Sequence, residues 1–199
     1  GETTRVGLST VFIRLTGCPL RCNWCDTPYS FSGGQTRTQD SLLEQLAQFD
    51  TQYVCVTGGE PLAQRNCLAL LRALCDSAYS VSLETSGAYD IAPVDPRVSR
   101  ILDIKPPGSG ESARNRWENL ALLTAHDEVK FVLQDRNDYD WALEVIRRHD
   151  LATRCPVLFS PVHGQLSPAL LSQWVLQDSA PVRVQVQLHK IIWGEERGR

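Results

Sequence analysis

Methionine is missing from all 199 residues, so the initiator and some residues after it are expected to lie upstream of Gly1. No apolar stretch approaches the roughly 18 residues needed for a membrane-crossing helix, which excludes that class. The opening Gly1-Glu2-Thr3-Thr4-Arg5 lacks the basic-then-apolar order of a secretory signal. Positive charge is not in excess either. The net charge is −3 and the basic residues are scattered, which argues against a nucleic-acid-binding surface. Low-complexity runs, internal repeats and a dividing linker are absent, and the length suits one compact domain rather than two.

Cysteine, by contrast, is abundant: there are seven. The odd count and the chain length make a secreted disulfide framework a poor reading. Cys55, Cys67, Cys75 and Cys155 are dispersed through apolar segments, where Cys behaves as a small hydrophobe. Cys18, Cys22 and Cys25 are bunched, and bunching calls for a chemical reason.

Short β-branched runs alternate with longer helical patterns. Strands are expected at Thr10–Leu15, Tyr53–Thr57, Ser80–Glu84, Arg100–Lys105, Glu128–Leu133, Pro156–Ser160 and Arg183–Leu188. Helices are expected at Gln39–Phe49, Leu62–Ala78 behind Pro61, Ala113–Leu123, Asp138–His149 and Pro168–Leu176, the last with Ser167 as N-cap. The crossover between the third and fourth strands holds Pro93 and Pro96 and no helical pattern. Repeated strand-helix units of this kind mean an α/β fold with a mostly parallel sheet. Ligands of such sheets gather at the carboxyl ends of the strands. The Gly17-Cys18, Gly58-Gly59-Glu60-Pro61, Thr85-Ser86-Gly87, Pro106-Pro107-Gly108 and Pro161-Val162-His163-Gly164 stretches all fall there.

Cys18-Pro-Leu-Arg-Cys22-Asn-Trp-Cys25 lets one loop wrap three thiolates around one small centre. A closed zinc site would require a fourth ligand, and no second Cys pair or His pair stands at matching spacing. Three thiolates suit a four-iron, four-sulfur cubane with one iron left open to an outside ligand. The Gly58-Gly59-Glu60-Pro61 turn has its own logic. Glycine permits close backbone approach, and the Glu60 carboxylate can accept from an ammonium group.

The triplet, with Trp24 before its last cysteine, resembles the signature of the radical S-adenosylmethionine superfamily. That resemblance implies a partial (β/α) barrel spanning residues 1–199 as a single domain, lacking its first N-terminal strand. It also implies that the open iron chelates S-adenosylmethionine, whose reductive cleavage gives an adenosyl radical. Gly58, Gly59 and Glu60 resemble the element that meets the cofactor's amino group. Gly1-Glu2, Val11-Phe-Ile-Arg14-Leu-Thr-Gly-Cys18, Cys25-Asp-Thr27, Glu84-Thr-Ser-Gly87 and Gln187-Leu-His-Lys190 together resemble the 7-carboxy-7-deazaguanine synthase family along the whole chain. The activity so implied contracts 6-carboxy-5,6,7,8-tetrahydropterin to a deazapurine with loss of ammonia, in queuosine biosynthesis, with magnesium assisting.

Further expectations come with that resemblance. Trp24, Cys25 and Asp26 would line the adenine side of the cofactor. Lys105 would contact it from Asp103-Ile104-Lys105, where the family's usual form is Ser-Pro-Lys, and Ser160 would do so from a later loop. Thr27 matches a magnesium-contacting position, although a cap or turn hydroxyl is an equal reading of it. Thr57 matches a substrate contact, and Gly1 and Glu2 match the end of a pterin-holding motif. Read chemically, Arg14 could grip a substrate carboxylate bidentately. Glu84 and Ser86, at a strand end, suit ribose or carboxylate contacts. The expected partners are a pterin substrate, a reducing protein such as flavodoxin and a second copy in a homodimer, all in the cytoplasm, with no nucleic acid and no membrane. Two other readings stand beside this one: an activase that makes a glycyl radical on a partner protein, and a non-enzymatic iron–sulfur or zinc module.

Overall fold

The computed structural model describes residues 2–194 and residue 196, so the contact expected of Gly1 lies outside the described residues. Its centre is one sheet of β1 (Val11–Leu15), β2 (Tyr53–Gly58), β3 (Ser80–Thr85), β4 (Ser99–Asp103), β5 (Glu128–Leu133), β6 (Val157–Pro161) and β7 (Arg183–Val184). Spatial order follows chain order, and every pairing is parallel. Right-handed crossovers that always add the next strand on the same side put every connection on one face. The other face is left free to curve around a site, as in an unclosed (β/α) barrel.

Side-chain alternation in the strands follows from this. Val54, Val56, Val81, Leu83, Leu102, Val129, Phe131, Leu133, Val157 and Phe159 turn to the helical side. There they share one core with Leu70, Leu71 and Leu74 of α2 (Cys67–Asp76), Ala142, Val145 and Ile146 of α3 (Arg136–His149), and Leu171 of α5 (Pro168–Gln177). Helices α1 (Gln39–Leu46), α4 (Leu151–Arg154) and α6 (Leu188–Trp193) complete the set. Among the described residues no helix is long and apolar enough to cross a membrane.

Three expected elements differ, each for a tertiary reason. The helix expected at Ala113–Leu123 is instead a pair of short 3-10 turns, Ser112–Arg114 and Trp117–Leu122. Between them Asn115 and Arg116 spend their polar groups on other loops: Asn115 on Lys105, and the Arg116 N–H on the Gly87 carbonyl. The segment expected to be helical from Leu62 starts as a 3-10 turn, Pro61–Ala63, and becomes α-helical only at Cys67. The last strand stops at Val184: Gln185 makes one more backbone bond to Phe159 and turns its side chain to the Thr3 carbonyl, and the Gln187-Leu-His-Lys190 stretch enters α6. Ser167 does occupy the N-cap of α5, with Pro168 beside it, but its side chain makes no capping bond.

Candidate active site

The cysteine loop leaves the carboxyl end of β1 and is held from two sides. Within the loop, the Arg21 guanidinium donates to the Cys18 and Leu20 carbonyls at 2.7 Å each and lies over the Phe31 ring. Leu20 anchors it by burial. From outside, the segment after β4 takes hold: Asn23 donates its backbone N–H to the Ser109 carbonyl at 3.0 Å and its amide to the Gly108 carbonyl at 2.8 Å. Glu111 accepts from the Arg21 N–H.

Cys18, Cys22 and Cys25 are free thiols, each partly exposed. Burial raises the pKa of Cys18 and Cys22, and both sense the charge of Cys25 and the opposing charge of Lys105. Among the described residues no three His, Cys, Asp or Glu side chains converge as ligands of a single metal ion. A cubane does not ask for that convergence, since each thiolate takes a different iron. Three unpaired thiols on one pinned, accessible loop therefore fit a cluster.

The glycine turn after β2 packs against this loop. The Gly59 N–H donates to the Leu15 carbonyl at 3.0 Å, and the Glu60 N–H to the Gly17 carbonyl at 2.8 Å. A Cβ on Gly59 would collide with the Gly17 carbonyl and stand 2.8 Å from the Cys18 Cβ. The close approach expected toward a ligand is thus made first to the cysteine loop. Glu60 is wholly buried and caps the 3-10 turn by accepting from the Leu62 N–H at 2.9 Å. It also accepts from the Thr85 hydroxyl at 2.8 Å and the Ser86 N–H at 2.7 Å, so it ties the ends of β2 and β3 together.

The concave face carries the residues that alternate with the core set. Arg14 stands in register with Thr57, and Asp103 with Lys130. Glu84 accepts from the Thr57 hydroxyl at 3.1 Å. Lys130 donates to the Glu2 carboxylate at 2.7 Å, and His189 Nδ1 lies 3.5 Å from the other Glu2 oxygen. Burial opposes the charge on Lys130, but Glu2, Glu84 and Asp103 around it hold its pKa above the usual range. Burial raises the Glu84 pKa against the pull of Lys130. The Lys105 ammonium pairs with Asp103 at 2.9 Å. Asp103 Oδ1, Ser160 Oγ, Gln185 Oε1 and Gln187 Oε1 are buried without a hydrogen-bond partner. Such groups are rare in a finished core, and here they suit a polar ligand.

The expected residues therefore gather, though not all equally. Arg14 is exposed on the edge strand, 5.9 Å from the Tyr29 ring centroid and with only a 3.5 Å contact to the Gly58 carbonyl. Thr27 precedes a short 3-10 helix without capping it, and its hydroxyl lies 3.9 Å from Cys25 Sγ. Asp26 accepts from the Gln187 amide at 3.1 Å, which brings the segment before α6 to the cysteine loop. Sequence reasoning missed Lys130, Asn23, Asn115, Glu111 and Gln185. A lysine inside the apolar run Glu128–Leu133 was the one signal on offer.

A profile described as the Radical SAM superfamily matches residues 12–149. The chain is 43% identical to 7-carboxy-7-deazaguanine synthase of Chlorobaculum tepidum, over 98% of this chain and 90% of that one. It is 41% identical to the enzyme of the same name from Koribacter versatilis, over 98% and 93%. Among solved structures, QueE from Escherichia coli superposes with a TM-score of 0.71 at 20% identity, covering 91% of this chain and 86% of that one. Streptococcus suis SuiB bound to S-adenosylmethionine superposes with a TM-score of 0.61 at 12% identity, covering 89% of this chain and 50% of that one. The two superpositions bear on the fold alone.

Proposed function

The chain belongs to the radical S-adenosylmethionine superfamily and, within it, to the 7-carboxy-7-deazaguanine synthase family, and we propose on that premise what its residues do. It is a carbon–nitrogen lyase that converts 6-carboxy-5,6,7,8-tetrahydropterin to 7-carboxy-7-deazaguanine with loss of ammonia, for queuosine and related 7-deazapurines. The observation that carries the reading is a pinned loop of three free thiols at the rim of a polar concave face, in a chain with relatives of that name along nearly its full length.

Family membership implies a four-iron, four-sulfur cluster and S-adenosylmethionine, which together supply hydrogen-atom abstraction when bound. Cys18, Cys22 and Cys25 are the cluster's ligands. Trp24, Cys25 and Asp26 flank the cofactor on one side, Gly58, Gly59 and Glu60 on another, and Glu84, Ser86, Lys105 and Ser160 line the wall between. The unpartnered Ser160 hydroxyl supports that wall as a polar contact surface.

On the substrate side, Arg14 takes the pterin carboxylate. Its guanidinium has no ion pair among the described residues and stands at the open edge, so it can pair at the cost of no more than a long contact to the Gly58 carbonyl. Thr57, whose hydroxyl is oriented by its bond to Glu84, offers that oxygen to the ring's N–H groups. Glu2, fixed by Lys130, closes the pocket, and Gly1 before it in sequence is assigned to the substrate by the family resemblance alone. Thr27 takes magnesium; with one hydroxyl from the protein, water and substrate oxygens must complete the octahedron. A small reducing protein such as flavodoxin delivers the electron, and the enzyme works in the cytoplasm as a homodimer.

The test is direct. Reconstituted, reduced protein incubated with the cofactor and the carboxytetrahydropterin should yield 7-carboxy-7-deazaguanine by mass spectrometry, together with ammonia. Cofactor cleavage without that product would mean another substrate, and a protein that takes up no cluster would remove the reading altogether.

A further inference from the structure

The segment after β4 reaches the cysteine loop, and one side chain determines how. Lys105 lies two residues beyond β4, and the Asn115 carboxamide takes both polar atoms of its backbone. Asn115 Oδ1 accepts from the Lys105 N–H at 2.9 Å, and Asn115 Nδ2 donates to the Lys105 carbonyl at 2.8 Å. Asn115 is buried, and only an amide presents a donor and an acceptor with the spacing of a peptide group. Three and four residues on, at Gly108 and Ser109, the same segment receives the two hydrogen bonds from Asn23, the neighbour of Cys22. Lys105 is thus tethered upstream by β4, downstream by the cysteine loop and at its own backbone by Asn115. Its ammonium pairs with Asp103 at 2.9 Å inside this frame.

We propose that Asn115 is a positioning residue that holds Lys105 beside the cysteine loop, where the ammonium favours the reduced state of the cluster. This rests on the reading that Cys18, Cys22 and Cys25 carry the cluster. Reduction adds one electron from an external low-potential donor; no bond forms or breaks at Lys105, and no proton leaves it. The added negative charge spreads over cluster and thiolates, and a fixed cation nearby lowers its energy by Coulomb attraction. Asp103 opposes this in part, so the pair sets the potential between two limits. A flexible lysine would be less effective, because its distance would average over many rotamers.

The experiment is an anaerobic redox titration of the reconstituted protein without S-adenosylmethionine, read by the magnetic resonance signal of the reduced cluster. Lys105→Met should move the midpoint to lower potential and Asp103→Asn to higher potential. Asn115→Ala should lower it as Lys105→Met does, and the double variant should go no lower than Lys105→Met alone. The remote, exposed Arg147→Ala should leave it unchanged. If Asn115→Ala does not fold, Asn115→Gln, which sets the amide one methylene too far, should give a smaller shift of the same sign. A loss of cluster content or melting temperature with an unmoved midpoint would reduce Asn115 to a structural residue. An unmoved midpoint in Lys105→Met would end the claim for the ammonium. No cluster in the unsubstituted protein would overturn this inference together with the assignment of its ligands.

Discussion

Cysteine does two different jobs in this chain, and the surroundings of each thiol separate them. Cys67 and Cys155 are buried in the apolar core and Cys55 under the opposite face beside Ser82, and burial pushes Cys67 up to about 12 and Cys155 to about 11. Cys18, Cys22 and Cys25 keep solvent access on a loop. Alanine at any one of the latter three should abolish the iron–sulfur absorbance and iron uptake. Alanine at Cys55, Cys67 or Cys155 should leave both intact and cost about 1 kcal/mol of stability or slightly more. Asp127 is a residue whose part is purely structural. It accepts from the Arg100 Nη2 at 2.6 Å, the Arg100 Nε at 2.8 Å and the Thr124 N–H at 2.8 Å. Burial opposes its charge, yet Arg100 and Thr124 prevail and hold its pKa below the ordinary value. A carboxylate with a depressed folded-state pKa stabilises fully above its unfolded pKa of about 4, and the contribution fades as pH falls below that. Asp127→Ala should therefore lose about 3–5 kcal/mol at pH 7, as an uncompensated buried Arg100 remains. The stability gap between the native chain and Asp127→Asn should hold down to about pH 4 and shrink below it in denaturant titrations of the cluster-free protein.

At the scale of elements, the glycine turn and the cysteine loop form one piece of structure. Gly59 carries no side chain because the Gly17 carbonyl and Cys18 occupy that space, and Glu60 laces the turn to β3. A substitution at Gly59 therefore does not isolate cofactor binding. Gly59→Ala should lower iron incorporation and S-adenosylmethionine affinity together, since the cysteine loop must shift to admit the Cβ. Full iron content with weakened cofactor binding alone would show that the loop yields elsewhere.

For the whole molecule, the decisive feature is the unequal character of the two sheet faces. One is a continuous apolar core; the other collects Arg14, Glu84, Asp103, Lys130 and Ser160, with Glu2 brought in from the amino-terminal segment. That segment is held by the Thr4 N–H on Glu128, Arg5 on the Ser80 carbonyl and Gln185 on the Thr3 carbonyl. Lys130 balances carboxylates that are far apart in sequence. Lys130→Met should cost about 3–5 kcal/mol, and Glu2→Gln in the same chain should restore part of it. A strictly additive pair in denaturant unfolding would mean the two charges do not act on each other.

Composition, alternation and the Cys18–Cys25 spacing by themselves determined the class of fold, the places of its strands and the loop that bears the thiols. Those are local properties: side-chain periodicity follows from backbone geometry, and ligand spacing from the reach of one loop. The rest needed the third dimension. Nothing near Asn115 in sequence says that its amide would replace a helical turn by a bond to Lys105, ten residues away. Nothing near Gly59 says that its missing side chain serves Cys18 before it serves a ligand. Lys130 reads as an oddity in an apolar strand until β3, β4 and the amino-terminal segment bring Glu84, Asp103 and Glu2 around it. Such partners are chosen by register and crossover, which add up over the whole sheet, and no local pattern carries them.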